Sequence, residues 1–142
     1  SEIKEIFQLK ECDAGMYSPL VLAYIGDAVY ELIIRTIIVN RGNCPVNQMH
    51  KKSSSLVKAP AQAEFITLLM EELTEEEQAI YKRGRNAKSA TSAKNATIQD
   101  YRMATGFEAL IGYLYLKGNK ERLVELVLHA LQKKGVLKID EV

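Results

Sequence analysis

At 142 residues the chain has room for one compact domain. Apolar residues make up 47% of it and charged residues 26%, a mix that fills a core and excludes an intrinsically disordered segment. Nineteen basic and eighteen acidic residues leave a net charge of +1, so overall charge does not by itself argue for a nucleic-acid partner.

The opening residues, SEIKEIFQLK, alternate charged and apolar groups where a secretory signal needs a basic start and an apolar run. The protein is therefore expected in the cytoplasm. Cys12 and Cys44 are too few for a disulfide framework or a zinc ribbon and read as thiols of a reducing compartment. With His50 and His129 as the only histidines, chemistry falls to carboxylates, hydroxyls or lysines.

Ser18 followed by Pro19 predicts an N-cap and a first helical turn, with the helix running to about Asn40 and stopping at Gly42. Pro45 opens a shorter helix to about Leu56, and Pro60 another that ends near Leu73. Thr74 and Glu77 form a capping box for a helix reaching Arg83. Residues 84–96 are small, polar and basic, and read as a loop. Thr97 caps a helix that closes at Gly118, and Asn119 starts a last one closed by Lys133, Lys134 and Gly135. No stretch alternates with period two. The expected fold is a single all-α domain.

Two helices carry charge where an apolar core expects none. Between Leu20 and Val39 the non-apolar residues are Gly26, Asp27, Glu31, Arg35 and Thr36. A helix apolar nearly all round is buried in a core, an oligomer interface or lipid. Lipid is disfavoured, since each charge costs about 2.5–3.5 kcal/mol at mid-bilayer. Asp27, Glu31 and Arg35 are spaced four apart and share one side, which predicts a buried stripe with Glu31 and Arg35 as an ion pair. Within ATGFEALIGYLYL the one charge is Glu108, with small Thr105 and Gly112 one turn away. Two lone acids on separate helices can meet around a hard divalent cation such as magnesium. From spacing alone the plainer reading is a salt bridge, with Arg35 or Arg102 neutralising one of them.

Charge is also ordered along the chain. From Arg41 to Lys58 four bases occur with no acid, from Glu64 to Glu77 six acids with no base, and from Lys82 to Arg102 six bases against Asp100. Asn47, His50, Lys51 and Lys52 offer donors in the first basic block. Arg83, Arg85, Asn86, Lys88 and Lys94 do so in the second. Such residues suit phosphate and sugar contacts along duplex RNA, whereas aromatic groups for stacking single strands are few. Solvated helix faces are the plainer reading of the same runs.

LAYIGDAVYE and FEALIGYLYL together resemble the two signature helices of ribonuclease III domains. The likeness extends through NQMHKKSSSLVKAPAQA and KRGRNAKS and is closest to the Mini-ribonuclease III branch, which is a catalytic domain alone. The resemblance implies a dimeric helical endonuclease domain over residues 1–142, with 1–17 peripheral and no separate double-stranded-RNA-binding domain. It implies that Asp27 and Glu108 are catalytic and ligate Mg2+, with Mn2+ a substitute. Cleavage of double-stranded RNA to 5′-phosphate products by a homodimer is the expected activity. Precursor large-subunit (23S) ribosomal RNA is the expected substrate and a ribosomal protein the expected helper. Larger relatives carry carboxylates where this chain has Ala23 and Thr105, so half of the usual set is missing. That reduction keeps a non-catalytic RNA-binding or assembly module on the same fold as the alternative.

Overall fold

The computed structural model describes residues 2–87 and 97–137, and among these the chain is helical with no strand. A short helix α1 (Glu2–Ile6) and a 3-10 turn (Ala14–Met16) precede the long α2 (Pro19–Asn40). Then follow α3 (Val46–Val57), α4 (Ala59–Leu69) with a 3-10 turn (Met70–Glu72), α5 (Glu75–Asn86), α6 (Ile98–Lys117) and α7 (Lys120–Lys134).

The boundaries follow local chemistry. Ser18 Oγ accepts from the Val21 amide ahead of Pro19, and Thr97 and Asn119 accept in the same way at the starts of α6 and α7. Thr74 and Glu77 exchange both bonds of a capping box. Gly118 ends α6 with φ 86°, in the left-handed region that glycine enters without penalty.

Two expectations shift. The helix begun near Pro60 stops at Leu69 and tightens into the 3-10 turn. Gly84, Arg85 and Asn86 belong to α5, not to a loop. Gly84 is a contact glycine: a Cβ there would lie 2.8 Å from Gly106 Cα and 2.8 Å from Ala109 Cβ on α6. Packing, not turn formation, accounts for its small size. Lys88 and Lys94 lie outside the described residues.

Helix α6 is the centre of the molecule, with Phe107, Ala109, Leu110 and Ile111 fully buried. Around it pack Leu22, Tyr30 and Ile34 of α2, Phe65, Ile66 and Leu69 of α4, and Leu126 and Leu131 of α7. The Tyr30 and Phe107 rings meet edge to face with centroids 5.2 Å apart. Each large side chain buried in this way contributes about 1.5–3 kcal/mol.

The tightest crossing joins α2 to α6. A Cβ on Gly26 would lie 1.8 Å from the Glu108 carbonyl oxygen, and one on Gly112 would lie 1.9 Å from the Leu22 carbonyl oxygen. Two glycines thus let two backbones touch, one on each side of the crossing.

At the periphery, Arg122 of α7 bonds Glu77 through Nε at 2.8 Å and Nη2 at 2.9 Å, and donates to the Glu72 carbonyl at 2.8 Å. His129 and Lys133 close on the Glu72 carboxylate at 2.7 and 3.2 Å. Among the described residues no helix is long and apolar enough to cross a membrane.

Candidate active site

The Gly26–Gly112 crossing dictates where the acids go. Asp27 follows Gly26 on α2, and Glu108 is the residue whose carbonyl Gly26 touches. Their side chains meet at the mouth of an open cleft of about 450 Å³, which Ala23, Tyr24, Glu31, Tyr101 and Thr105 also line. Burial pushes the Glu108 carboxyl up to about 8, with the neighbouring Asp27 carboxyl adding a hydrogen bond and like-charge repulsion in the same direction.

Asp27 itself is exposed, which corrects the buried stripe expected of α2. The helix buries Leu22, Tyr30, Ile34 and Ile38 and turns its other side outward. Beside Asp27 and the Glu31–Arg35 pair, that outer side carries large apolar groups: Leu20 is 41% exposed, Tyr24 81%, Leu32 67% and Val39 61%. One helix has two apolar faces, and the domain core covers one of them.

The salt-bridge alternative does not form. Arg35 pairs with Glu31, with Nη2 to Oε1 at 2.7 Å, as the four-residue spacing predicts. Arg102 lines a different depression with Arg85, Asn86 and Tyr81. Among the described residues no ion pair joins either Asp27 or Glu108 to a base.

Ala23 and Thr105 both face the cleft beside the acid pair. Thr105 Oγ1 donates to the Tyr101 carbonyl at 3.0 Å, so its hydroxyl is committed to its own helix. Among the described residues no group of three or more acidic, histidine or cysteine side chains is placed to hold a metal ion. Of the three carboxylates lining this cleft, Glu31 is held by Arg35, which leaves Asp27 and Glu108 without a base, and such a pair suits a hard divalent ion that keeps several waters.

One neighbour of Glu108 carries no motif that singles it out in the sequence. Gln62, on α4, donates through Nε2 to Glu108 Oε2 at 3.4 Å. Its one sequence clue is a polar side chain alone in the small apolar run APAQA.

The basic residues form two groups. His50 and Lys51 lie with Ser54, Ser55 and Lys58 along a shallow depression on α3, and Asn47 and Lys52 are exposed on the same helix. Arg85 and Asn86 line a depression of about 700 Å³ at the end of α5, where Arg85 stacks over the Tyr81 ring at 5.7 Å. Arg83 has a different engagement: its guanidinium donates to the Gly15 carbonyl at 3.3 Å and the Tyr17 carbonyl at 3.2 Å. It fastens the segment before α2, so residues 14–17 are held on the domain.

The all-helical single domain agrees with the sequence comparison. Residues 20–119 match the ribonuclease III domain family. The chain belongs to that family, and it is an endoribonuclease, with RNA as its substrate. It is 60% identical to Mini-ribonuclease 3 of Clostridium tetani over 117 residues, 81% of this chain and 77% of that one. With Mini-ribonuclease 3 of Enterococcus faecalis the identity is 51% over 125 residues, 87% of this chain and 95% of the relative. The crystal structure of protein FN1578 from Fusobacterium nucleatum superposes with a TM-score of 0.76 at 33% identity, covering 86% of this chain and 96% of that one.

Proposed function

We propose that this endoribonuclease hydrolyses phosphodiesters of double-stranded RNA with the help of a divalent cation held by Asp27 and Glu108. The observation that carries the reading is the meeting of these two carboxyls, unpaired with any base among the described residues, in an open cleft. A magnesium ion held by Asp27 and Glu108 would activate a water and offset charge on the scissile phosphate and the leaving 3′ oxygen. Asp27, exposed, and Glu108, half-buried, provide the hard oxygen donors. The Gly26–Gly112 contact fixes the spacing of the helices that carry them. Ala23 and Thr105 leave room for waters where further carboxylates would otherwise stand.

The basic side chains of α3 and the end of α5 serve as the grip on phosphates, with Asn47, His50, Lys51, Lys52, Arg85 and Asn86 as the contacts, joined by Lys88 and Lys94, whereas Arg83 is spent on the Gly15 and Tyr17 carbonyls. The uncovered apolar face of α2, with Leu20, Tyr24 and Leu32, supports a homodimer in which two sites each cut one strand. Maturation of precursor 23S ribosomal RNA in the cytoplasm, aided by a ribosomal protein, is the role that the likeness to Mini-ribonuclease 3 proteins supports.

The test is incubation of the purified protein with a long RNA duplex in magnesium and then in excess chelator. Cleavage to 5′-phosphate ends with magnesium and none with chelator is the expected result. Binding without cleavage at any metal concentration overturns the reading.

A further inference from the structure

Gln62 is out of place in the core of α4. It is 2% exposed, between apolar neighbours such as Ala63, Phe65 and Ile66. Its Nε2 uses both hydrogens, donating to the Val57 carbonyl at 2.7 Å and to Glu108 Oε2 at 3.4 Å. Its Oε1 is buried and has no hydrogen-bond partner among the described residues. Rotating the amide by a half-turn would set that oxygen against a carbonyl and a carboxylate, so the two donated bonds fix the orientation. A buried acceptor without a partner costs about 1–3 kcal/mol. A side chain whose role was to fill the space would avoid that cost by being apolar.

The two bonds join separate elements. Val57 is the last residue of α3, and the adjoining Leu56 carbonyl accepts from the Tyr30 hydroxyl of α2 at 2.7 Å. The end of α3 is thereby braced from both sides, and Gln62 extends that brace to α6 through Glu108.

We propose that Gln62 is a positioning residue for Glu108. Anchored on the Val57 carbonyl, its amide holds one carboxylate oxygen of Glu108 and so keeps the carboxyl turned toward Asp27 for a shared cation. The proposal rests on the reading of Asp27 and Glu108 as the cation site. Partners that orient a metal ligand without touching the metal typically govern about 10–100-fold in affinity.

The test compares wild type with Gln62→Met, which keeps the length and removes both donors. Mn2+ affinity is read directly, by the paramagnetic resonance of free Mn2+ over metal-stripped protein. We expect affinity to fall about 10-fold or more, and the magnesium needed for half-maximal cleavage to rise in parallel. Duplex affinity in chelator stays within about twofold of wild type, since Gln62 is buried out of reach of a duplex. Wild-type metal affinity in Gln62→Met overturns the proposal while the cation site stands. A wild-type protein that binds no Mn2+, or an Asp27→Asn variant that binds it as well as wild type, overturns the cation site and the proposal with it. Should Gln62→Met fail to fold, the wild-type side-chain amide decides. Its protons must exchange more slowly than those of exposed Gln48 and shift when magnesium is added; free exchange or indifference to magnesium overturns the assignment.

Discussion

Gly26 presses its α-carbon against the backbone of Glu108, where a single methyl group would sit 1.8 Å from the carbonyl oxygen. No side-chain rotation relieves such a clash, because the obstacle is main chain. Gly26→Ala is therefore expected to drive α2 and α6 apart and cost about 3 kcal/mol or more. Denaturant unfolding measures the loss. Cleavage should fall further than stability alone explains, because Asp27 moves with the helix.

Replacing either acid by its amide keeps shape and removes charge. Asp27→Asn and Glu108→Gln are each expected to lower cleavage by about 10³-fold. Duplex affinity in chelator should stay near wild type. Comparable cleavage by either variant removes its metal role.

Glu108→Gln should also change stability in a way that pH reveals. Burial, then Asp27, raises the folded-state value to about 8 from an ordinary 4.5. The fold therefore carries no penalty at Glu108 below pH 4.5, an increasing one as pH rises, and the full one above about 8. In chelator the melting temperature of Glu108→Gln should match wild type in acid and exceed it in mild alkali, by about 3–5 °C per kcal/mol relieved. Magnesium should narrow that gap by stabilising wild type alone. A gap independent of pH contradicts the assignment.

Glu77 runs the opposite way. Its Arg122 partner, aided by bonds from the Thr74 cap, holds its carboxyl below the usual range against a raising effect of burial. Stability from this pair is present above pH 4.5, the unfolded value, and is lost as pH falls through the depressed folded value. Glu77→Gln should cost about 2 kcal/mol near neutrality and much less in strong acid. Unfolding curves across that range check both the size and the direction.

Thr105 faces the cleft with its hydroxyl already spent on Tyr101. Thr105→Asp places a third carboxylate beside the pair and is expected to lower the magnesium concentration for half-maximal cleavage. An unchanged titration would mean that position 105 does not face the ion.

The two arginine and lysine groups should separate in salt. Removing Lys51 and Lys52, both exposed, is expected to flatten the dependence of log affinity on log salt by about 0.7–0.9 for each phosphate no longer neutralised. Arg83→Ala should instead free residues 14–17, seen as faster proteolysis ahead of α2, because its guanidinium holds Gly15 and Tyr17. An unchanged slope for the lysine pair places the RNA elsewhere.

Much of the fold is legible in the sequence because its boundaries are local. Ser18, Thr74, Thr97, Asn119, Gly118 and Gly135 each act within one turn of the chain, and each ends or begins a helix as its chemistry demands. Gly84 misleads for the opposite reason: its size answers to Gly106 and Ala109 on another helix. The meeting of Asp27 with Glu108 is legible from their isolation among apolar residues. The exposure of Asp27 is not, since an apolar face reads alike whether the core or a second molecule covers it. Gln62 stays hidden because its partners, Val57 and Glu108, lie five and 46 positions away and share no sequence pattern with it.

Because the acid pair rides on the seam where two backbones touch, Asp27 and Glu108 stand on helices in direct contact. Separating them means unfastening the interior of the domain, so the pair is complete once the chain has folded. On heating, helical signal and the capacity to bind the cation should vanish in one transition, with no temperature window that holds ordered helices and scattered carboxylates.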